Sequence, residues 1–259
     1  MTTKELNQAQ VEALAEKMLG MLNGGAPALM TSIGHRTGPF DAMANLPPST
    51  SAQIAAAAGL QERYVREWLG AMVTAGVVEV DPATTRFVLP AEHAALLTRA
   101  AAADNLAVFA QYIALLGGVE DDVVACSKKG GGVPYEKFPR FHAVMAEDSG
   151  QSVPSALESH VLPLVPGLTD RLATGIRMLR DIRGSSHIHS NIGHPIGTLL
   201  YTISCMHCMT VSLAQGGEGL GAMWGEEKTR EYLQKAGFRT VETHQLAHDI
   251  QNNWYVVRK

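Results

Sequence analysis

Residues 49–89 read STSAQIAAAAGLQERYVREWLGAMVTAGVVEVDPATTRFVL, and this stretch decides the first half of the fold. Ser49-Thr50-Ser51 offers hydroxyls to the unpaired N–H groups of a helix start, and an Ala-rich helix over 52–58 follows. Gly59-Leu60 makes a turn, a longer helix runs from Gln61 to Ala75, and Gly76 closes it. Val77–Val80 and Arg86–Leu89 are apolar enough to pair as a hairpin around residues 81–85. Short helix, tight turn, longer helix and two-stranded wing together predict a winged helix-turn-helix.

Charge argues against the commonest use of such a unit. From Ser49 to Pro90 the basic residues are Arg63, Arg66 and Arg86, against Glu62, Glu67, Glu79 and Asp81. Two of those acids lie on the helix that would enter a DNA groove, where phosphate contacts demand positive charge. The whole chain carries a net charge of −4, which attracts neither nucleic acid nor an anionic membrane. The expected partners therefore exclude nucleic acid, and the unit reads as a folding and dimer-forming module.

Outward toward the start, Val11, Leu14, Met18 and Met21-Leu22 recur at helical spacing. Asn23-Gly24-Gly25 predicts the end of that helix, with Pro27 opening a second one that runs to Gly38-Pro39. On the other side of the wing, Leu96 to Val124 is mostly apolar helix, interrupted at Gly117-Gly118. The helices Glu5–Ile33 and Leu96–Leu116 carry more apolar surface than one winged helix covers, which predicts a homodimer.

Toward the end, Lys128-Lys129-Gly130-Gly131-Gly132 is a loop without the Lys-Ser/Thr that a phosphate loop needs. Helices are expected over 138–157 and 158–164, broken by Pro154, Pro163 and Pro166. Thr174 to Ile182 is a candidate strand, Gly225 to Ala236 a surface helix, and 240–247 and 253–257 the last two strands. Strand, helices, strand, strand is an α/β ending. The expected organisation is a helical winged-helix domain over 1–100, connecting and lid helices over 101–168, and an α/β domain over 169–259.

Between Arg183 and Glu218 no residue carries a charge, and Pro195 to Gln215 is long enough to span a bilayer. Thr198, Thr202, Ser204, His207, Thr210, Ser212 and Gln215 make it polar for an isolated span, so a buried helix is expected and no membrane partner. Three cysteines cannot build a disulfide framework, and the first residues hold no apolar run of signal-peptide type, so a cytoplasmic protein is expected. Cys205, His207 and Cys208 do not make a zinc site, which wants four ligands; they read as members of a buried helix, and no metal is expected.

Several segments together resemble the winged-helix class of S-adenosylmethionine-dependent methyltransferases, the architecture of small-molecule O-methyltransferases. They are Ser32–Gly38, the winged helix, Phe141–Ser149, Leu162–Leu168, Asp181–Ser186, and Trp224 through Gly237-Phe238 to Trp254–Val257. The resemblance implies transfer of a methyl group from S-adenosylmethionine to a small-molecule acceptor. It also implies that Phe141, Met145 and Ser149 line a lid over the cofactor. His187, His189 and His194 then cluster where the fifth strand opens toward substrate, with His187 and His189 as candidate catalytic proton acceptors.

The pattern departs from the family at Leu179-Arg180. Gly175 to Leu179 starts like the first strand of the methyltransferase domain, and Arg180 to Ser186 continues like the end of its fifth. Each strand-helix-strand step needs about 30 residues, so roughly a hundred are absent. The glycine loop, the ribose-binding acid and the adenine turn belong to that portion. The implied fold is α+β or α/β with a truncated Rossmann-like methyltransferase domain, and the alternative function is a non-catalytic dimerisation or ligand-binding remnant, less readily a regulator. Gly217-Glu218-Gly219-Leu220-Gly221 imitates the glycine loop but follows a helix, and is expected to be a flexible connection.

Overall fold

The computed structural model describes residues 6–154, 156–168, 179–247 and 249–258. The chain divides into two units, Met1–Ala114 and Leu115–Lys259.

In the first unit the winged helix forms as its sequence predicts. Thr50 and Gln53 make a reciprocal capping box that opens α3 (Ser51–Ala58), and Gly59 ends it in a left-handed conformation. The longer helix α4 (Glu62–Thr74) buries Val65, Trp68, Leu69 and Met72 on one face. The wing pairs β1 (Glu79–Asp81) with β2 (Arg86–Val88), and Ser49 bridges Phe87 on the other side of β2. Phe40, Ile54, Leu69 and Met72 are fully buried at the centre of this core. Phe40 lies on α2 (Pro39–Ala44) and meets Trp68 edge-on with ring centroids 5.0 Å apart. Trp68 also donates to the Met30 carbonyl at 2.8 Å, which fixes α1 (Gln8–Thr37) across α4.

One expected boundary is absent. α1 runs unbroken from its Asn7 cap through Asn23-Gly24-Gly25 and Pro27 to Gly38. The glycine and proline penalties are local, whereas every further residue on either side adds a helical hydrogen bond. After the wing, α5 (Ala91–Leu97) leads to α6 (Ala107–Gly117).

In the second unit the break at Gly117-Gly118 is present, and α7 (Glu120–Lys129) and α8 (Phe141–Ser152) follow it. α8 begins later than expected because Tyr135–Lys137 forms a separate turn ahead of Pro139. Of the candidate strand, Leu179–Ile182 is β3, and the part from Thr174 to Met178 lies outside the described residues. The uncharged stretch becomes α9 (Gly197–Ile203), a π-helical segment (Ser204–Met209) and α10 (Thr210–Ala214). Gly197–Ala214 has the length and mean hydropathy, 1.2, of a membrane span. Leu200, Ile203, Ser204, His207, Thr210 and Val211 form its buried stripe, at helical spacing.

Backbone approaches that stripe closely. A β-carbon on Gly132 would stand 2.0 Å from the Thr210 carbonyl oxygen, and Val133 N–H donates to the Thr210 hydroxyl at 2.8 Å. The segment expected to be a flexible connection is likewise folded against it: Gly219 N–H donates to Ser212 and Ala222 N–H to Ser204. Serine hydroxyls that side with the loop explain what composition alone reads as slack. The cysteines also differ from expectation, since Cys205 is exposed and Cys126 and Cys208 are half-buried; all three are free. Position 205 falls on the face of the helix opposite the buried stripe.

The chain closes with α11 (Glu226–Lys235), β4 (Thr240–His244) and β5 (Asn252–Arg258). The sheet has the order β3-β5-β4, and both pairings are antiparallel. Arg180 and Asp181, too polar for a central parallel strand, sit on a strand that is at the edge of the sheet among the described residues.

On α4, Arg66 is paired with Glu62 and Arg63 with Glu67, each one helical turn apart. The arginines a groove reader would use are thus already neutralised. A fluorescence titration with duplex DNA at low salt is expected to show no sequence-dependent binding. Tight binding to a particular sequence would reverse that expectation.

Candidate functional site

β3 ends at Ile182, and the chain beyond it is held by the start of α11. Glu227 accepts from the Ser186 N–H and from the Ser185 hydroxyl, both at 2.7 Å. Ser186 in turn donates to the Trp224 carbonyl at 2.6 Å, and Glu226 N–H donates to the Gly184 carbonyl. The two segments touch so closely that a β-carbon at Gly225, whose φ is +88°, would stand 2.1 Å from the Ser186 nitrogen. Only glycine fits there on both counts. The Ser186 N–H, aided by the Ser185 hydroxyl, holds the Glu227 carboxyl down at about 2, against a smaller effect of burial.

Past this clamp, Asn191 ties the loop to itself. Its side chain accepts from the Ser185 N–H at 2.9 Å and donates to the Ser185 carbonyl and the Tyr201 hydroxyl. Two clefts flank the turn Asn191–His194. One, of about 560 Å³, is lined by Arg183, Ser185, His194, Glu226, Arg230 and Asn253 among others. The other, of about 730 Å³, runs along α9 and the π segment past Tyr201, Cys205 and Met206. Both volumes suit a small organic molecule.

The residues expected from sequence are distributed unevenly around these clefts. His187 and His189 stack with ring centroids 5.8 Å apart and are exposed; neither is in the lining of these two clefts. His194 lines both, and burial followed by the nearby Arg183 charge lowers its affinity for a proton. Phe141, Met145 and Ser149 share α8 but not an environment. Phe141 is buried, Met145 is 45% exposed, and Ser149 accepts from Arg180 at 3.0 Å. Arg180 also lies over the Trp254 ring, so its guanidinium joins α8 to the sheet, as does Asp148, which accepts from the Gln251 amide.

Sequence reasoning passed over His207 except as a false metal ligand. Its ring stacks flat on Phe141, centroids 3.4 Å apart, and meets Phe138 edge-on at 4.7 Å. Neither ring nitrogen has a hydrogen-bond partner among the described residues. Burial, with His142 nearby, pushes its pKa down to about 4, so the imidazole is neutral at ordinary pH. Also overlooked were Glu227, readable only as a first-turn acid that suits a helix start, and Asn253, a polar residue in a strand pattern. No group of three or more potential metal ligands occurs among the described residues.

The described residues do not fit S-adenosylmethionine. Binding it takes a parallel strand with a glycine loop, and a carboxylate at the end of a second strand. Every described strand pairing is antiparallel. The open side of Gly184, which follows β3, is taken by Met223 and Asn191. The acid in β3, Asp181, accepts from the Thr229 hydroxyl at 2.7 Å and from the Ile182 N–H, and burial raises its pKa.

Residues 25–99 match the family model described as an Rv2258c-like winged HTH domain. Solved structures match the whole chain. Human N-acetylserotonin methyltransferase, in complex with SAM, is 14% identical with a TM-score of 0.59, over 100% of this chain and 99% of its own. The mitomycin 7-O-methyltransferase gives 15% and 0.58, over 98% and 100%. The pyocyanin biosynthetic protein gives 12% and 0.60, over 96% and 100%. No curated protein matches the chain. The molecule therefore has an N-terminal winged helix followed by an α/β region of methyltransferase-like fold.

The clamp sets a pH dependence. Glu227 is depressed in the folded chain from an ordinary value of 4.5 to about 2, so the stability it contributes is present above pH 4.5 and lost as pH falls through 2. Because the carboxylate is exposed, Glu227→Gln should lower Tm at pH 7 by only roughly 2–4 °C. Thermal melts between pH 7 and 2 should show that gap closing toward pH 2; parallel curves would refute the clamp.

Proposed function

We propose that this chain is a winged-helix relative of S-adenosylmethionine-dependent small-molecule O-methyltransferases that keeps the acceptor side of the site and lacks the cofactor side. The observation that carries this reading is the sheet β3-β5-β4, wholly antiparallel, with two clefts opening beyond β3. An acceptor has room there, whereas the described residues offer no cradle for the cofactor. In this reading residues 169–259 are a shortened methyltransferase domain, 101–168 the connecting and lid helices, and 1–100 the winged-helix domain.

Under the same proposal α8 is the lid that carries Phe141, Met145 and Ser149. His187 and His189 stand on the loop that leads to the clefts, where an imidazole suits uptake of a proton from an acceptor hydroxyl. The chain acts in the cytoplasm on a small molecule. Without the cofactor side it binds that molecule rather than methylating it.

Affinity for S-adenosylmethionine is the direct test. Losing one hydrogen bond to a charged group costs about 1.5–3 kcal/mol, and each 1.4 kcal/mol is about tenfold. Absence of both ribose bonds and the glycine loop should place the dissociation constant several powers of ten above that of an ordinary enzyme. Calorimetry of the 259-residue chain with the cofactor should show no saturable binding at micromolar concentration. A micromolar constant would restore an active methyltransferase.

The proposal includes a homodimer formed by the first unit. Val11, Leu14, Met18 and Leu22 are 43–66% exposed along the first half of α1, and Leu96 and Leu106 are exposed as well. Such a stripe commonly marks an interface. Light scattering at micromolar concentration should give a dimer, and Met18→Glu with Leu22→Glu a folded monomer. A monomeric wild type would count against it.

A further inference from the structure

We propose that the cleft beyond β3 takes a small carboxylic acid with a hydroxyl or amine donor beside its carboxylate, the acid on Arg183 and the donor on Asn253. This rests on the acceptor-side reading above and names the chemical class that side admits.

The case comes from which polar groups around the cleft are already satisfied. Glu227 is occupied by Ser185 and Ser186. Glu226 is paired with Arg230 at 2.8 Å and also accepts from Thr243. Asn191 has its bonds to Ser185 and Tyr201. Arg183 is different: its guanidinium has no ion pair among the described residues. Asn253, 1% exposed, is the buried counterpart: its amide nitrogen reaches the Tyr255 hydroxyl, while its Oδ1 has no hydrogen-bond partner among the described residues.

Strand register puts these two groups together. Arg183 N–H donates to the Gln251 carbonyl at 2.6 Å, extending the ladder in which Asp181 faces Asn253. Residues two apart share a face, so Arg183 and Asn253 are diagonal neighbours on one side of the sheet, about 7–8 Å apart. Both line the same cleft.

Chemistry then narrows the ligand. An unpaired guanidinium is a planar fork of donors suited to a carboxylate. A buried amide oxygen without a partner calls for a donor. Glu226 and Glu227 in the lining oppose a dianion such as a phosphate monoester, and Arg183 opposes a cation. A monoanion with an adjacent donor satisfies all of these at once.

The test uses the 259-residue chain without cofactor, titrated by calorimetry with 2-hydroxybenzoate, benzoate and phenol. The expected order is 2-hydroxybenzoate tightest, benzoate weaker for want of the donor, and phenol weakest by roughly tenfold or more. Arg183→Gln, checked by thermal melting to be folded, should lose the preference for the acids and leave phenol unchanged. Equal binding of phenol and 2-hydroxybenzoate, or acid binding that survives Arg183→Gln, overturns the inference while leaving a small-molecule cleft. Failure of all three probes overturns the inference and removes support from the acceptor-side reading too. Neither outcome depends on whether S-adenosylmethionine binds.

Discussion

The Glu227 carboxylate decides where the chain goes after β3, and both clefts follow from that path. It binds Ser185 and Ser186 at the start of α11, where negative charge is favoured by the helix end. Gly225 makes the approach possible, because any side chain there would collide with the Ser186 backbone. With the segment pinned at Ser185–Ser186, Asn191 closes the loop back onto Ser185. The turn Asn191–His194 is then left standing between two hollows. An exposed acid, a glycine and an asparagine thus shape the two clefts.

Much of the first unit was legible because its signals are local. The hydroxyl cap at Thr50, the turn at Gly59 and the spacing of Val65, Trp68, Leu69 and Met72 each act within a few residues. The reading failed at Asn23-Gly24-Gly25, where the same kind of local signal was overruled by continuous helix on both sides. In the second unit the stretch Pro195–Gln215 was readable as a helix, but only a third of it is buried, and Thr210, Ser204 and Ser212 hold neighbouring loops.

The site was less legible. Asn253 and Arg183 become neighbours only through an antiparallel register that joins distant parts of the chain. His207 sits in an apolar run, and nothing in its spacing says that Phe141 will lie flat against it. His187, His189 and the α8 residues came from resemblance, which carries position in a family and not environment. Met145 shows the difference: it follows Phe141 by one helical turn, yet is open to solvent while Phe141 is enclosed.

The order β3-β5-β4 also bears on how the second unit assembles. β3 and β4 never touch; each finds its only described partner in β5. Whichever pair forms first, one strand still waits with bare N–H and C=O groups on offer. Joining β3 to β5 closes a long loop through α9, α10 and α11, an ordering step whose entropy must be met before its contacts reward it. Asp181 moderates the hazard on one side, since its carboxylate takes the Ile182 N–H that would otherwise face outward. Among the described residues β3 is outermost, and a strand that silences its own edge in this way need not recruit a stranger.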